Sequence, residues 1–352
     1  MNTSKKLKMA ASAAFICFCV SSAIVPRRLS AHSQGKKKEM VSTIAFVSTR
    51  HQPSADPSFD MTRSTEIYIM DGDGSNVIRL TNNSYGDWFP SISPDGKTIV
   101  FDSNRLRTES ELYNTSDLFL MNIDGSGQKH LIRGSSATWS RDSKSLAYHA
   151  SVSGAGKPIA IFPGAAANDS DIFVISVVRK GAKPKNITNN PTAVDDDPDW
   201  SPTEDKIVFI SKDAKDDMRN PVSAEIYVIN ADGTGKPIRL TNNSEEERAP
   251  TWSPDGKRIL FMCRRGGTDF ELCIMNADGS AQIQLTDNTI GDLGGSWSPD
   301  GRKVVVHRPI SRGIYQLWLI NVDGSGEMQL TNAPGTNGFP NWGEVRRRGP
   351  TK

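Results

Sequence analysis

From residue 43 onward, short apolar runs alternate with polar, glycine-rich turns, and no run keeps a helical period. Five runs of one kind, starting at Ile99, Leu146, Ile207, Ile259 and Val304, each begin seven residues after the head of a recurring polar phrase. The phrase is Trp-Ser-Pro-Asp-Gly-Lys at Trp252, with variants starting at Trp297, Trp139, Trp200 and Ile92. A second kind of run, such as Ile67 to Met70, Leu118 to Met121, Ile226 to Ile229 and Leu317 to Ile320, leads into Asp-Gly turns at Asp73, Asp124, Asp232 and Asp323. A third, shorter run ends in Leu-Thr-Asn at 80–82, 240–242 and 330–332. Apolar segments this short, bounded by Gly, Pro, Asn and Asp, read as strands.

The strands come in a fixed order. With the head of the phrase as register point, the units fall at Ile92, Trp139, Trp200, Trp252, Trp297 and Trp342, about 45 to 60 residues apart. Four short strands per unit at that period predict an all-β, six-bladed propeller of four-stranded antiparallel blades. Trp342 has no apolar run after it, and Ile44 to Phe46 has no Trp segment before it. The two remnants complete one blade: 339–342 is expected as the inner strand beside 43–49, 66–70 and 77–81. N-terminal strands then pair with the C-terminal strand and close the ring.

The first residues read as an address. Lys5, Lys6 and Lys8 precede an apolar run from Met9 to Val20, and Ser21-Ser22-Ala23 offers a cleavage site, so 1–23 is expected as an export signal. The alternative is an uncleaved anchor, but the run is shorter than the roughly 20 residues that span a bilayer. The expected layout is signal 1–23, polar linker 24–40, propeller 41–343 and basic tail 344–352. After cleavage no transmembrane segment remains, and the protein is periplasmic or secreted.

Charge excludes some partners. The 42 Lys and Arg nearly balance the 40 Asp and Glu, so no net field draws the chain to nucleic acid or an anionic membrane. Past the signal the cysteines are Cys263 and Cys273, which flank a hairpin loop. Centring that loop on Thr268 puts them opposite each other, near disulfide distance; two buried thiols are the alternative. His149 and His307 fall in blades on opposite sides of the ring and share no metal. The Asn-x-Asp-Gly-Ser turns lack the acid that completes a calcium loop. No Gly-x-Ser-x-Gly or His-Glu-x-x-His segment appears.

The succession Asp-x-x-Pro-x-Trp-Ser-Pro-Asp-Gly-Lys, Ile-x-Phe, Ile-Tyr-x-Met-Asn-x-Asp-Gly and Arg-Leu-Thr-Asn resembles the WD-like repeat of the TolB propeller, over nearly all of 41–343. About 18 residues lie between Ala23 and the first strand, so the resemblance is to the propeller without the TolB amino-terminal α/β domain. It implies a monomeric, cofactor-free envelope protein that binds a protein or peptide. Propellers of this kind also accompany catalytic domains in prolyl-oligopeptidase-like enzymes.

Turns after first and third strands are short and regular, whereas those after second and fourth strands vary, which makes the variable-loop face the expected binding face. Five residues before the register points stand Asp87, Gly134, Asp195, Glu247, Asp292 and Asn337. With Trp88, Asp196 and Asp197 beside them, the acids form a candidate ring for a cationic peptide segment, or for calcium. Against that, Arg50, Arg105 and Arg265 follow the second strands and can turn such acids into structural ion pairs. Blade three is the exception, because there Asp195 is expected to meet Asp213. The run Asp195, Asp196, Asp197 is therefore the best candidate contact. Two functions remain: an extracytoplasmic binding scaffold, or a secreted hydrolase or lyase acting on a polysaccharide with channel carboxylates as acid and base.

Overall fold

A computed structural model describes residues 39–51, 64–108, 116–152, 170–213, 224–266, 269–311 and 313–347. The export signal, the last five residues of the basic tail and the tips of the variable loops lie outside the described residues. The 24 strands among the described residues form six four-stranded sheets, five of them in chain order from the inner edge outward. Blade one shows the plan: Asp87–Ile92, Thr98–Ser103, Asp117–Asn122 and Lys129–Arg133. First strands of successive blades neighbour one another round the ring and line its channel. Among the described residues, no helix is long and apolar enough to cross a membrane.

Blade six is assembled from both ends of the ring. Asn337–Arg347 is its inner strand, followed by Glu39–Ser48, Glu66–Asp71 and Ile78–Arg79. Ile44 lies opposite Trp342 and Glu39 opposite Arg347. The closing pair is longer than expected, since it starts at Glu39 and takes in residues 344–347 that read as tail.

The apolar runs are nearly continuous because second and third strands are covered on both sides. Alternation sends neighbouring residues of one strand into different cores. Ile99 and Phe101 pack with Ile67, Ile69 and Val345 between blades six and one, whereas Val100 packs with Leu146 and Tyr148 between blades one and two. Six such clusters occur, one at each blade boundary. The Trp of the repeated phrase belongs to them: Trp139, Trp252 and Trp297 are buried, and the Trp139 indole donates to the Ser91 carbonyl of the preceding blade at 3.0 Å.

The rest of the phrase is a turn with a fixed hydrogen-bond set. Ser253 Oγ donates to Asp255 Oδ1 at 2.6 Å and accepts from the Arg258 amide at 2.9 Å. Gly96, at φ 67°, serves the equivalent turn of blade one for two reasons. It occupies the left-handed region, and a Cβ there would lie 2.4 Å from the Glu344 carbonyl oxygen of blade six.

Candidate functional site

The channel wall carries a sixfold irregularity. Three residues before each register point, Phe89, Ser136, Asp197, Ala249, Gly294 and Phe339 all take φ between 44° and 52°, with values of 45°, 51°, 51°, 46°, 45° and 48°. Pairing with the second strand slips at this point: Trp88 pairs with Asp102 and Ser91 with Val100, so the bulge lies between them. The same slip recurs in the other blades. A bulge re-aims the side chains of its strand. All six positions are partly exposed, whereas Pro90, Ala137, Pro198 and Pro250, which follow four of them, are buried.

Below the bulges lies a second polar ring one residue before each register point. Its side chains latch neighbouring inner strands together. Asp199 Oδ2 accepts from the Trp252 amide at 2.7 Å, Asn341 Oδ1 from the Ile92 amide at 2.8 Å, and Ser296 Oγ from the Trp342 amide at 2.9 Å. Asp199 also accepts from Thr138 Oγ1 at 2.9 Å, and burial lifts its pKa to about 6.

The acids expected to ring the mouth are instead covered. Asp87 and Asp292 are fully buried, Glu247 is 1 % exposed, Asp195 2 % and Trp88 0 %, so none offers a partner much surface. They belong to clasps between blades. Asn83 gives its amide N–H to Glu66 of blade six at 2.7 Å and its side-chain amide to Asp87 of blade one at 2.8 Å. Asn243 joins Glu225 to Glu247 in the same way at 2.8 Å each, and Asn288 joins Glu271 to Asp292 at 2.9 and 2.8 Å. Where Ala333 replaces the asparagine, Gln316 and Asn337 bond each other directly at 2.9 Å. This second set of acids, opening the third strands, is visible in the sequence as the Glu or Asp before five of the six Ile-Tyr-like runs, with Gln316 before the sixth.

The arginines sort the clasps. Arg105 pairs with Asp87 at 2.9 Å, as the spacing suggested. Arg50 reaches the neutral Asn337 at 2.7 Å, and Arg265 bonds Gln282 at 2.9 Å rather than Glu247. Asp292 is held at 2.7 Å by Arg308, which stands in the position that Ser103 and Ser211 occupy elsewhere and was not singled out from the sequence. Two clasps remain without an ion pair on the inner-strand acid among the described residues. At one, burial lifts Glu247 to about 7 and its Oε2 has no hydrogen-bond partner. At the other, burial lifts Asp195 to about 6 and its Oδ1 has none. Asp195 stands opposite Ser211, while Asp213 stands opposite Ala193. Both of these clasps flank blade three.

What does line the mouth is unequal round the ring. Phe89 and Phe339 meet edge to face, 4.6 Å between ring centroids, and His307 lies 5.0 Å from Phe339. Burial drives His307 down to about 3, so its ring is neutral at pH 7. Blade three presents Asp196 and Asp197, both partly exposed. Buried His149 stands beside them, its Nδ1 3.9 Å from Asp196 Oδ1. Among the described residues, no group of three or more His, Cys, Asp and Glu is placed to hold a metal ion. Cys263 and Cys273 form a disulfide with Cα atoms 5.9 Å apart. Cys273 pairs with Phe261 and Cys263 with Glu271, so the bridge runs diagonally, because the hairpin centres one residue earlier than Thr268.

A closed ring of six four-stranded blades with an asymmetric channel mouth defines a β-propeller. The profile of the TolB beta propeller domain matches residues 160–346, and the chain belongs to that family. The structure of TolB from Acinetobacter baumannii superimposes with a TM-score of 0.66 at 21% identity, covering 86% of this chain and 66% of that one. A candidate TolB from Agrobacterium tumefaciens gives 0.58 at 19% identity, covering 88% and 99%. Dipeptidyl-peptidase 5 of Porphyromonas gingivalis is 41% identical over 49 residues, which span 14% of this chain and 7% of that protein.

Proposed function

We propose that this propeller is an extracytoplasmic scaffold that grips a protein or peptide of the cell envelope at the channel mouth, on its variable-loop face. The observation that carries the reading is the ring of bulges. Glycine takes a left-handed φ without steric penalty, yet only Gly294 is glycine. Holding Phe, Ser, Asp, Ala and Phe there costs about 1–2 kcal/mol each, and strain kept at an open surface marks side chains used in recognition. Sixfold symmetry of the backbone with no symmetry of the side chains suits one asymmetric ligand.

Some exposed apolar residues lie on the same face. Tyr85, Leu106, Val152 and Ile290 are 47%, 49%, 48% and 47% exposed and lie after second or fourth strands, and Ile310, 51% exposed, stands in the last rungs of a second strand. The family and the export-signal reading support the envelope location. The hydrolase reading draws less support, because Asp87 and Asp292 sit in arginine bridges and the remaining clasp acids are covered. Photo-crosslinking tests the proposal. A crosslinker at Tyr85 should capture a discrete envelope protein in intact cells, while one at Asp205 on the regular face should not. Equal capture from both faces, or none from Tyr85, refutes it.

A further inference from the structure

The two arcs of the channel mouth differ in chemistry. On blades five, six and one, His307, Phe339 and Phe89 form a continuous aromatic wall. Across the channel, three blades away from Phe339, Asp195, Asp196 and Asp197 follow one another on a single inner strand. Between the arcs, Ala249 and Gly294 occupy the bulges of blades four and five.

The acidic arc is short of donors. His149 is 4 % exposed, and neither of its ring nitrogens has a hydrogen-bond partner among the described residues; nor has Asp195 Oδ1. A buried polar atom left in this state carries a desolvation penalty that a bound donor would remove. The neighbouring arginines bond Glu246, although Arg248 also acts on Asp197 through space. Arg248 gives Nε and Nη2 to Glu246 at 2.8 and 2.5 Å. Arg264 shares Glu246 at 3.3 Å and lies over the Phe270 ring at 4.4 Å. Asp197 accepts only a 3.4 Å contact from the Ala249 amide among its described hydrogen bonds.

We infer that the mouth takes a side chain with an apolar stem and a cationic tip, a lysine or arginine presented by the partner segment. The inference rests on the binding reading above and names the chemistry of what is gripped. The 3.9 Å gap between His149 Nδ1 and Asp196 Oδ1 is too long for a hydrogen bond, but an ammonium nitrogen at about 2.8 Å from each spans it. The imidazole is the acceptor on one side and the carboxylate on the other. Asp197 stands next to Asp196 on the same strand, and the methylene stem runs back out through the mouth, as long cationic side chains keep their stems on apolar surface.

Titration calorimetry of the full chain with two probes separates charge from stem: acetyl-Gly-Ser-Lys-Ser-Gly-amide, and the same peptide with norleucine for lysine. The lysine peptide is expected to saturate one site and to shift the His149 ring resonances. Norleucine, and the D196N/D197N protein with the lysine peptide, should each bind at least about tenfold more weakly, the loss of one charge-assisted contact. Asp205→Asn, on the far face, should change nothing. Should the double variant fail to fold, Ala249→Lys replaces it: a resident lysine beside Asp197 should exclude the peptide. Equal affinity for the two peptides, undiminished binding by D196N/D197N, or binding that requires added calcium overturns the inference. Failure here with intact crosslinking from Tyr85 leaves the scaffold reading standing. Peptide binding without any crosslink sinks that reading and keeps the site.

Discussion

Asn83, Asn243 and Asn288 each act twice, the backbone amide on the acid of one blade and the side chain on the acid of the next. Removing the side chain strands a buried carboxylate, so Asn243→Ala should lower stability by about 1–3 kcal/mol in urea titration. Ala333→Gly, where Gln316 and Asn337 already meet, should leave that bond intact and cost far less. The clasps whose inner-strand acid has no ion pair also set a pH dependence. Glu247 and Asp195 titrate near 7 and 6 when folded, above the ordinary carboxylate values near 4. The folded state therefore holds their protons more tightly, and stability should fall as pH rises from about 4 to 7. Glu247→Gln should flatten that slope and gain about 1–3 kcal/mol at pH 8. Offsets along the sequence aligned Asp87, Asp195, Glu247 and Asp292 correctly. They did not reveal that an asparagine four residues upstream would cover three of the four, because a clasp across two blades has no local signature.

At the scale of strands, the sequence was most legible where the physics is local. Apolar runs, Asp-Gly turns and the repeated phrase located the first three strands of blade one to within a few residues, whereas its fourth strand, Lys129–Arg133, carries no Leu-Thr-Asn and was not located. The inner-strand bulge was not legible, since Phe89, Ser136, Asp197, Ala249 and Phe339 share no residue type that favours a left-handed φ. Their conformation is imposed by the ring. The hairpin of blade four illustrates the limit of counting: a one-residue change of centre turns an opposed cysteine pair into a diagonal one. The bridge closes a loop with a sequence separation of 10, and replacing both cysteines with alanine should destabilise the protein by about 2–4 kcal/mol. Thermal melts with and without reductant should show the same loss in the parent and none in the double variant.

Across the whole molecule, burial is parcelled into six boundary clusters rather than one central core, so each blade depends on two neighbours. Removing 337–347 deprives blade six of its inner strand and exposes the faces of blades five and one. Such a truncation should melt without a single cooperative transition, whereas deleting 348–352 should not alter the melt. The closing strands have a direction as well. Glu39 lies against Arg347 and Ser48 against Asn337, so the chain enters and leaves the ring at the same end of one antiparallel pair. A force applied between the two ends loads that pair as a zipper, one rung at a time, and never in shear. Optical-tweezer pulling from both ends should therefore open blade six at low force, rung by rung from Glu39 toward Ser48. A tether at one end alone leaves the seam unloaded, which is the mechanical arrangement in which this ring stays shut.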